Sequence, residues 1–190
     1  DEKLIDFLWR EEHTSPFRHS VLSFEVYAPL MVARQHWKYA VASTHIDEQN
    51  GWNESSRRYI TEREEFYVPN ANEWRSKPEN SKQGSGEPLG TALGESLTNK
   101  LDFISRLGLK MYEEALQEGV APELARLFLP AYGMYVRWRW TASLQAVLTF
   151  LDQRLPHDAQ VEIQEYAKAV NSLTVKSFPA TMEIWQNNQK

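Results

Sequence analysis

Val32-Ala33-Arg34-Gln35-His36-Trp37-Lys38-Tyr39-Ala40-Val41-Ala42-Ser43 and, after a short insert, Asn53-Glu54-Ser55-Ser56-Arg57-Arg58-Tyr59 decide how this chain is read. Just upstream, Val21 to Tyr27 has the β-rich alternation of a strand. Pro29 fits the first turn of a helix, where its missing N–H costs nothing, and the helix body runs from Leu30 to Ser43. On that helix Arg34 and Lys38 share one face, and Gln35 and Tyr39 a neighbouring one. A strand therefore feeds a helix whose later turns are cationic. Around the Gly51-Trp52 turn signal, Arg, Gln, Glu and Ser crowd together, a composition poor for a core and good for gripping a polar anion.

Outward from this stretch, the polar run 76–90, punctuated by Pro and Gly, reads as a long loop, of a length that is usually functional or disordered. Leu93, Leu97, Leu101, Ile104, Gly108, Met111 and Ala115 then recur at helical spacing up to Gly119, a C-cap, so their stripe is expected to be core or a helix contact. Pro122 opens a short helix carrying Arg126, and Pro130 stops it. Met134, Val136, Trp138 and Trp140 alternate with Tyr135, Arg137 and Arg139 as a strand. A helix from about Ser143 turns Leu144, Val147, Leu148, Leu151 and Leu155 inward and offers Ser143, Gln145, Thr149 and Asp152 on its other face. Arg154 falls in its last turn, where a cation suits the helix dipole. Asp158 is the expected cap of a further helix that buries Ile163, Tyr166, Ala167 and Val170. Near the start, Leu4-Ile5-Phe7-Leu8 is helical and His13-Thr14-Ser15-Pro16 is a turn. The expected class is α+β, a small antiparallel or mixed sheet with long helices, as a single domain over residues 1–190.

Composition narrows the chemistry. The 190 residues, 42% hydrophobic, suffice for one sizeable core. A formal net charge of -5 argues against a general nucleic-acid or membrane-surface binder, so an anionic ligand must be held by a local cluster. There is no cysteine, which rules out disulfides, thiolate metal sites and sulfur nucleophiles. No apolar run reaches the roughly 20 residues needed to cross a bilayer, and the opening Asp-Glu-Lys lacks a signal-peptide pattern, so a cytoplasmic location is expected. His13, His19, His36, His45 and His157 have no metal-ligand spacing, so no metal is expected. Any one of Arg34, Arg57, Arg58, Arg126 or Arg154 reads by itself as a solvated or ion-paired residue. Several converging would mark a nucleotide, because the planar guanidinium fork matches a phosphate. Ser56 has no base fixed beside it and reads as a phosphate ligand or turn cap.

Ser43, Asn53-Glu54, Ser56 and Arg58-Tyr59 stand in the order of a longer motif: Arg-His-Arg, two residues, Ser, one residue, Asn-Glu, one residue, Ser, one residue, Arg-Tyr. That motif belongs to the flavin-dependent thymidylate synthases, which this chain resembles over nearly its whole length. His13-Thr14-Ser15-Pro16-Phe17, Ala28-Pro29-Leu30 through Ala33-Arg34-Gln35, Ala125-Arg126 with Leu129-Pro130, Trp140-Thr141 and Ala159-Gln160 with Glu162-Ile163 look like further landmarks in the right order. Two departures mark this chain. Lys38-Tyr39-Ala40 stands where Arg-His-Arg is expected, and residues 44–52 replace a single residue. The strand and helix that family members carry before Leu4 are expected to be missing.

The resemblance implies a deoxyuridine monophosphate site of Gln35, Glu54, Ser56, Arg58, Arg126 and Arg154, with Arg154 catalytic through stabilisation of a deprotonated uracil ring. It implies a flavin site of His13, Ser15, Lys38, Tyr39, Ala40, Glu54, Ser143, Gln145 and Thr149. Lys38 can still pair with a pyrophosphate as a point charge, whereas Ala40 cannot; the insert 44–52 reads as a surface loop. The implied cofactor is FAD, with NADPH and methylenetetrahydrofolate as co-substrates, and the implied assembly is a homotetramer. Two rival readings are a relative that leaves a hydroxymethylated pyrimidine nucleotide and a nucleotide-binding homologue without turnover.

Overall fold

The computed structural model describes residues 2–39, 52–55, 64–79 and 84–189. Ala40, Ser43, Ser56, Arg58, Tyr59 and residues 44–51 of the insert lie outside the described residues. The elements in chain order are α1 (Glu2–Arg10), α2 (Ser15–Arg18), β1 (Val21–Pro29), α3 (Leu30–His36) with a 3-10 turn at Trp37–Tyr39, β2 (Trp52–Glu54), α4 (Thr91–Gln117), α5 (Pro122–Ala125) with a 3-10 turn at Arg126–Phe128, β3 (Tyr135–Ser143), α6 (Leu144–Arg154), α7 (Val161–Ser177) and α8 (Pro179–Asn187). The class is α+β, with one three-stranded antiparallel sheet ordered β1-β3-β2.

Register follows from side-chain alternation. Phe24, Val26 and Ala28 of β1 and Val136, Trp138, Trp140 and Ala142 of β3 are buried, every second residue in each strand. Ser23 faces Thr141, and Phe24 stacks on Trp140. The Leu144 N–H donates to the Ser20 carbonyl at 2.8 Å, and the Leu30 N–H to the Met134 carbonyl at 2.9 Å. Each step forward on β1 is a step back on β3, as antiparallel pairing requires. Pro29 therefore closes the strand rather than opening the helix: with the Leu30 N–H aimed at the partner strand, position 29 faces away and needs no donor.

The chain gathers into two compact units, residues 1–26, 35–53 and 138–190 in the first and residues 27–34 and 54–137 in the second. In the first, α1 packs on α8, α2 on α6, and α7 on both α6 and α8. Trp138, Trp140, Leu148, Phe150, Leu151, Ile163 and Met182 are essentially inaccessible, each apolar side chain of this size contributing about 1.5–3 kcal/mol of burial. The helix α7 starts after Gln160, two residues beyond the Asp158 expected to cap it, because the Ala159 N–H closes a turn onto Pro156. His13 and Thr14 precede a short helix rather than a simple turn, Pro16 lying in its first turn.

In the second unit the stripe expected on α4 divides by residue size: its small members Gly108 and Ala115 are buried and Leu93, Ile104 and Met111 are not. Gly94, Ser105, Gly108 and Ala115 face inward, whereas Leu93, Phe103, Ile104, Leu107 and Met111 are exposed. Close backbone approach is the reason: a Cβ on Gly94 would sit 1.9 Å from the Ala71 carbonyl oxygen, and one on Gly108 would sit 2.6 Å from that of Phe128. The helix ends as expected at Gly119, with φ 86°, the N–H groups of Gly119 and Val120 donating to Leu116 and Ala115. The polar run before α4 is held by backbone bonds from Ser76 to Glu87, Gly86 to Ser76 and Leu89 to Trp74, the last at 2.7 Å. Replacing Gly94 by Ala should destabilise the protein by about 2 kcal/mol, because the obstructing atom is backbone. Gly90→Ala, with nothing within 4 Å, should stay within about 0.5 kcal/mol of the parent in urea denaturation.

Candidate functional site

The first unit builds a polar site from two neighbouring segments, the 3-10 turn after α3 and the last turn of α6. The residues of α3 advance by about 100° each, those of a 3-10 turn by about 120°. The change at Trp37 rotates Tyr39 away from the face it would share with Gln35 on a continuous helix. Tyr39 is buried, its ring edge-on to Phe150 at 5.1 Å. Its hydroxyl donates to Gln153 Oε1 at 2.7 Å. Arg154 lies alongside, its guanidinium carbon over the Tyr39 ring and 5.5 Å from the ring centre. Burial pushes the Tyr39 hydroxyl up from its ordinary range, and the Arg154 cation pulls it part of the way back. Arg154 Nε is buried and has no partner among the described residues. A half-buried guanidinium at a helix C-terminus, with one N–H uncommitted, is suited to an anionic or electron-rich ring.

Gln35 donates from Nε2 to Gln160 Oε1, and Gln160 donates in turn to Glu162 Oε2 at 2.8 Å. This chain fixes the Gln35 amide and leaves its carbonyl oxygen available. Glu54 and Arg126 belong to the second unit. Arg126 sits half-buried in the 3-10 turn after α5, with no ion pair among the described residues. Ser56, Arg58 and Ala40 lie outside the described residues. Of Lys38, only the backbone, within the 3-10 turn, is described.

Among the expected flavin residues, Ser143 proves fully buried rather than on the open face of α6. Its hydroxyl accepts the Ala146 N–H at 3.2 Å as the helix cap, a role that demands burial at the strand-to-helix junction. Thr149 donates back to the Gln145 carbonyl at 2.9 Å. The Gln145 side chain lines a cavity of about 440 Å³ together with Trp9, Arg10, Thr14, Phe17 and Asn188, and its Oε1 is buried with no partner among the described residues. His13 and Ser15, on either side of Thr14, are exposed.

Two residues near the site were not among the expected site residues. Gln153 gains its role only because the 3-10 turn brings Tyr39 against it. Gln160 stood among the landmark residues, but its bond to Gln35 spans 125 positions. His36 is a core histidine: Trp140 lies 4.2 Å and Phe150 4.8 Å from its ring, and burial lowers its pKa to about 3.

Comparison with known proteins matches this architecture. The family described as Thy1, thymidylate synthase complementing protein, matches residues 1–180. A flavin-dependent thymidylate synthase of Thermus thermophilus is 37% identical over 188 residues, covering 99% of this chain and 64% of the relative. One from Thermotoga neapolitana is 33% identical over 185 residues, 97% of this chain and 76% of the relative. The crystal structure of a UMP/dUMP methylase, PolB from Streptomyces cacaoi bound with 5-Br UMP, superposes with a TM-score of 0.83 at 26% identity, covering 99% of this chain and 82% of that one. The fold is thus the α+β fold that this methylase shares. The chain belongs to the Thy1 family and spans about 64% of the length of the Thermus relative. Among the described residues, no helix is long and apolar enough to cross a membrane.

The buried His36 makes stability pH-dependent. Its pKa is about 3 when folded and about 6.5 when unfolded, so below pH 6.5 the unfolded chain takes up a proton that the native state refuses. Its contribution is complete above pH 6.5 and is lost as pH falls towards 3, by up to about 1.4 kcal/mol per pH unit. In urea titrations between pH 7 and pH 4.5, His36→Phe should remove this part of the slope.

Proposed function

We propose that the chain carries out the reductive methylation of deoxyuridine monophosphate to thymidylate, taking the carbon from methylenetetrahydrofolate, with FAD and NADPH providing the reduction. The observation that carries this reading is Arg154, a guanidinium fixed against Tyr39 with a buried, uncommitted Nε. Placed at the uracil imide, such a cation lowers the energy of the anion formed when the imide nitrogen gives up its proton, and the neighbouring ring carbon becomes nucleophilic. The chain has no cysteine, so this activation stands in place of thiolate attack. Gln35, Glu54, Ser56, Arg58 and Arg126 complete the substrate set, the arginines matching the phosphate. The names of the Thermus and Thermotoga relatives and the UMP/dUMP methylase activity of the Streptomyces neighbour support the same chemistry.

The residues present fit a flavin. Gln145 Oε1 is an open buried acceptor at the edge of a cavity, and the flavin and adenine rings both carry N–H donors. His13, Ser15, Lys38, Tyr39, Ala40, Glu54, Gln145 and Thr149 would hold the cofactor, with Ser143 acting through the start of α6. Bound FAD supplies the hydride that turns the transferred carbon into a methyl group. The exposed Leu93, Phe103, Ile104, Leu107 and Met111 of α4 support a homotetramer, because a monomer in water gains nothing from displaying that stripe. The departure at Lys38-Tyr39-Ala40 favours one alternative, in which the carbon is left as a hydroxymethyl group.

Mass spectrometry of the nucleotide formed from deoxyuridine monophosphate, methylenetetrahydrofolate, FAD and NADPH should show a methylated product. A hydroxymethylated one selects the alternative, and an unchanged one selects the reading without turnover. Arg154→Ala should lower kcat by about 10²–10³-fold. Light scattering should give four times the chain mass.

A further inference from the structure

We propose that Gln160 and Glu162 are positioning residues that set the polarity of Gln35: they leave its carbonyl oxygen to face the nucleotide, so that Gln35 reads a hydrogen-bond donor and takes no part in gripping the phosphate. The inference rests on the proposed place of Gln35 in the substrate site and adds what Gln35 recognises there. An amide side chain presents an oxygen at one end and an NH2 group at the other, and its neighbours decide which end faces a ligand. Here the decision starts at Glu162, because a carboxylate only accepts. Gln160 must therefore offer nitrogen, and its Nε2 donates to Glu162 Oε2 at 2.8 Å. That leaves Gln160 Oε1 for Gln35, which meets it with Nε2. Turning either amide over would set oxygen against oxygen or nitrogen against nitrogen, so one direction runs unbroken from Glu162 to Gln35. The Gln35 nitrogen is held at Gln160, and the oxygen is the end left for the substrate.

Gln160 is also the N-cap of α7, the position at which a short polar side chain ordinarily accepts an N–H from the first helical turn. Its side chain makes no such bond and reaches instead to a residue 125 positions away. Gln164 ties down the same turn, its Nε2 donating to the Ala159 carbonyl at 2.8 Å. Helix stability is thus forgone at a point where Ser, Asn or Asp would supply it, which is the pattern of a residue kept for a site. An acceptor at Gln35 also divides the work within the nucleotide set. A phosphate presents acceptor oxygens, which an amide oxygen cannot satisfy and the arginines can. The donors that deoxyuridine monophosphate offers are the ribose 3′-hydroxyl and the imide N–H.

Calorimetric titration of deoxyuridine monophosphate, its 3′-deoxy analogue and its N3-methyl analogue, with FAD present, tests this. The parent should bind the analogue that lacks the recognised donor about tenfold more weakly, the scale of one hydrogen bond. In Gln160→Ser that ratio should fall below about threefold, while the ratio between the monophosphate and deoxyuridine stays parental. The melting temperature should hold or rise by about 2–4 °C, because serine can cap α7. Glu162→Gln, which keeps the shape but lets both amides turn over, should lower the donor ratio as well. A change confined to the 3′-deoxy analogue assigns the ribose hydroxyl, and one confined to the N3-methyl analogue assigns the imide. Donor ratios that stay parental in both variants overturn the proposal, and so does a change confined to the ratio between monophosphate and deoxyuridine, which would make Gln35 a phosphate ligand. If the parent binds no deoxyuridine monophosphate, the functional reading fails instead. Hydrogen exchange of the Gln35 side-chain NH2 in ligand-free protein, expected to be about tenfold slower in the parent than in Gln160→Ser, still decides whether the chain of bonds exists.

Discussion

The strand β3 runs into α6 with no linker, and the junction is locked by a hydroxyl that water never reaches. Ser143 is fully buried, it caps the helix through the Ala146 N–H, and the next residue, Leu144, donates its own N–H to Ser20. Everything downstream inherits that constraint. The helix is 11 residues long, so its last turn lies about 16 Å along a rigid axis from the cap. Arg154 is in that turn, and its position is thereby set by the sheet. A site built on a helix anchored in this way is more precise than one carried on a loop, which suits the role proposed for Arg154.

Tyr39 reaches the same place by a different route. The α3 helix also follows its strand without a break, and a tightened 3-10 turn then delivers the phenol to the side of α6. The apolar surroundings of His36, Trp138, Trp140 and Phe150 fill the space beneath. The His36 ring stays neutral there because burial disfavours its charged form. The contrast with Arg154 is instructive. One ionisable group is silenced by burial among aromatic rings; the other sits at a helix terminus, half-exposed and beside a phenol.

Much of this was legible in the chain. The alternation around Trp138 and Trp140 announced β3, the apolar repeat after Ser143 announced α6, and Gly119 marked the end of α4 correctly. What misled was periodicity taken without size. The stripe read on α4 included Gly108 and Ala115, which do face inward, and Leu93, Ile104 and Met111, which do not, because close backbone approach rewards the absence of a side chain and periodicity alone does not register it. Ser143 was legible as a cap position and was assigned instead to an open face. The candidate site residues on α3 and α6 were singled out mainly through resemblance, since arginine and glutamine on a helix surface are ordinary in isolation. Gln153 was beyond reach of either approach, because its role exists only once a turn more than a hundred residues away is in place.

The central claim is that Arg154 activates a bound uracil ring by stabilising its deprotonated form. Binding deoxyuridine monophosphate labelled with ¹⁵N at the imide nitrogen, and following that nucleus by NMR as pH is raised, tests it at the atom concerned. The account predicts that the bound imide loses its proton at lower pH than the free nucleotide in the parent protein and not in Arg154→Ala. An imide that titrates identically in both proteins, with the nucleotide fully bound, would contradict it.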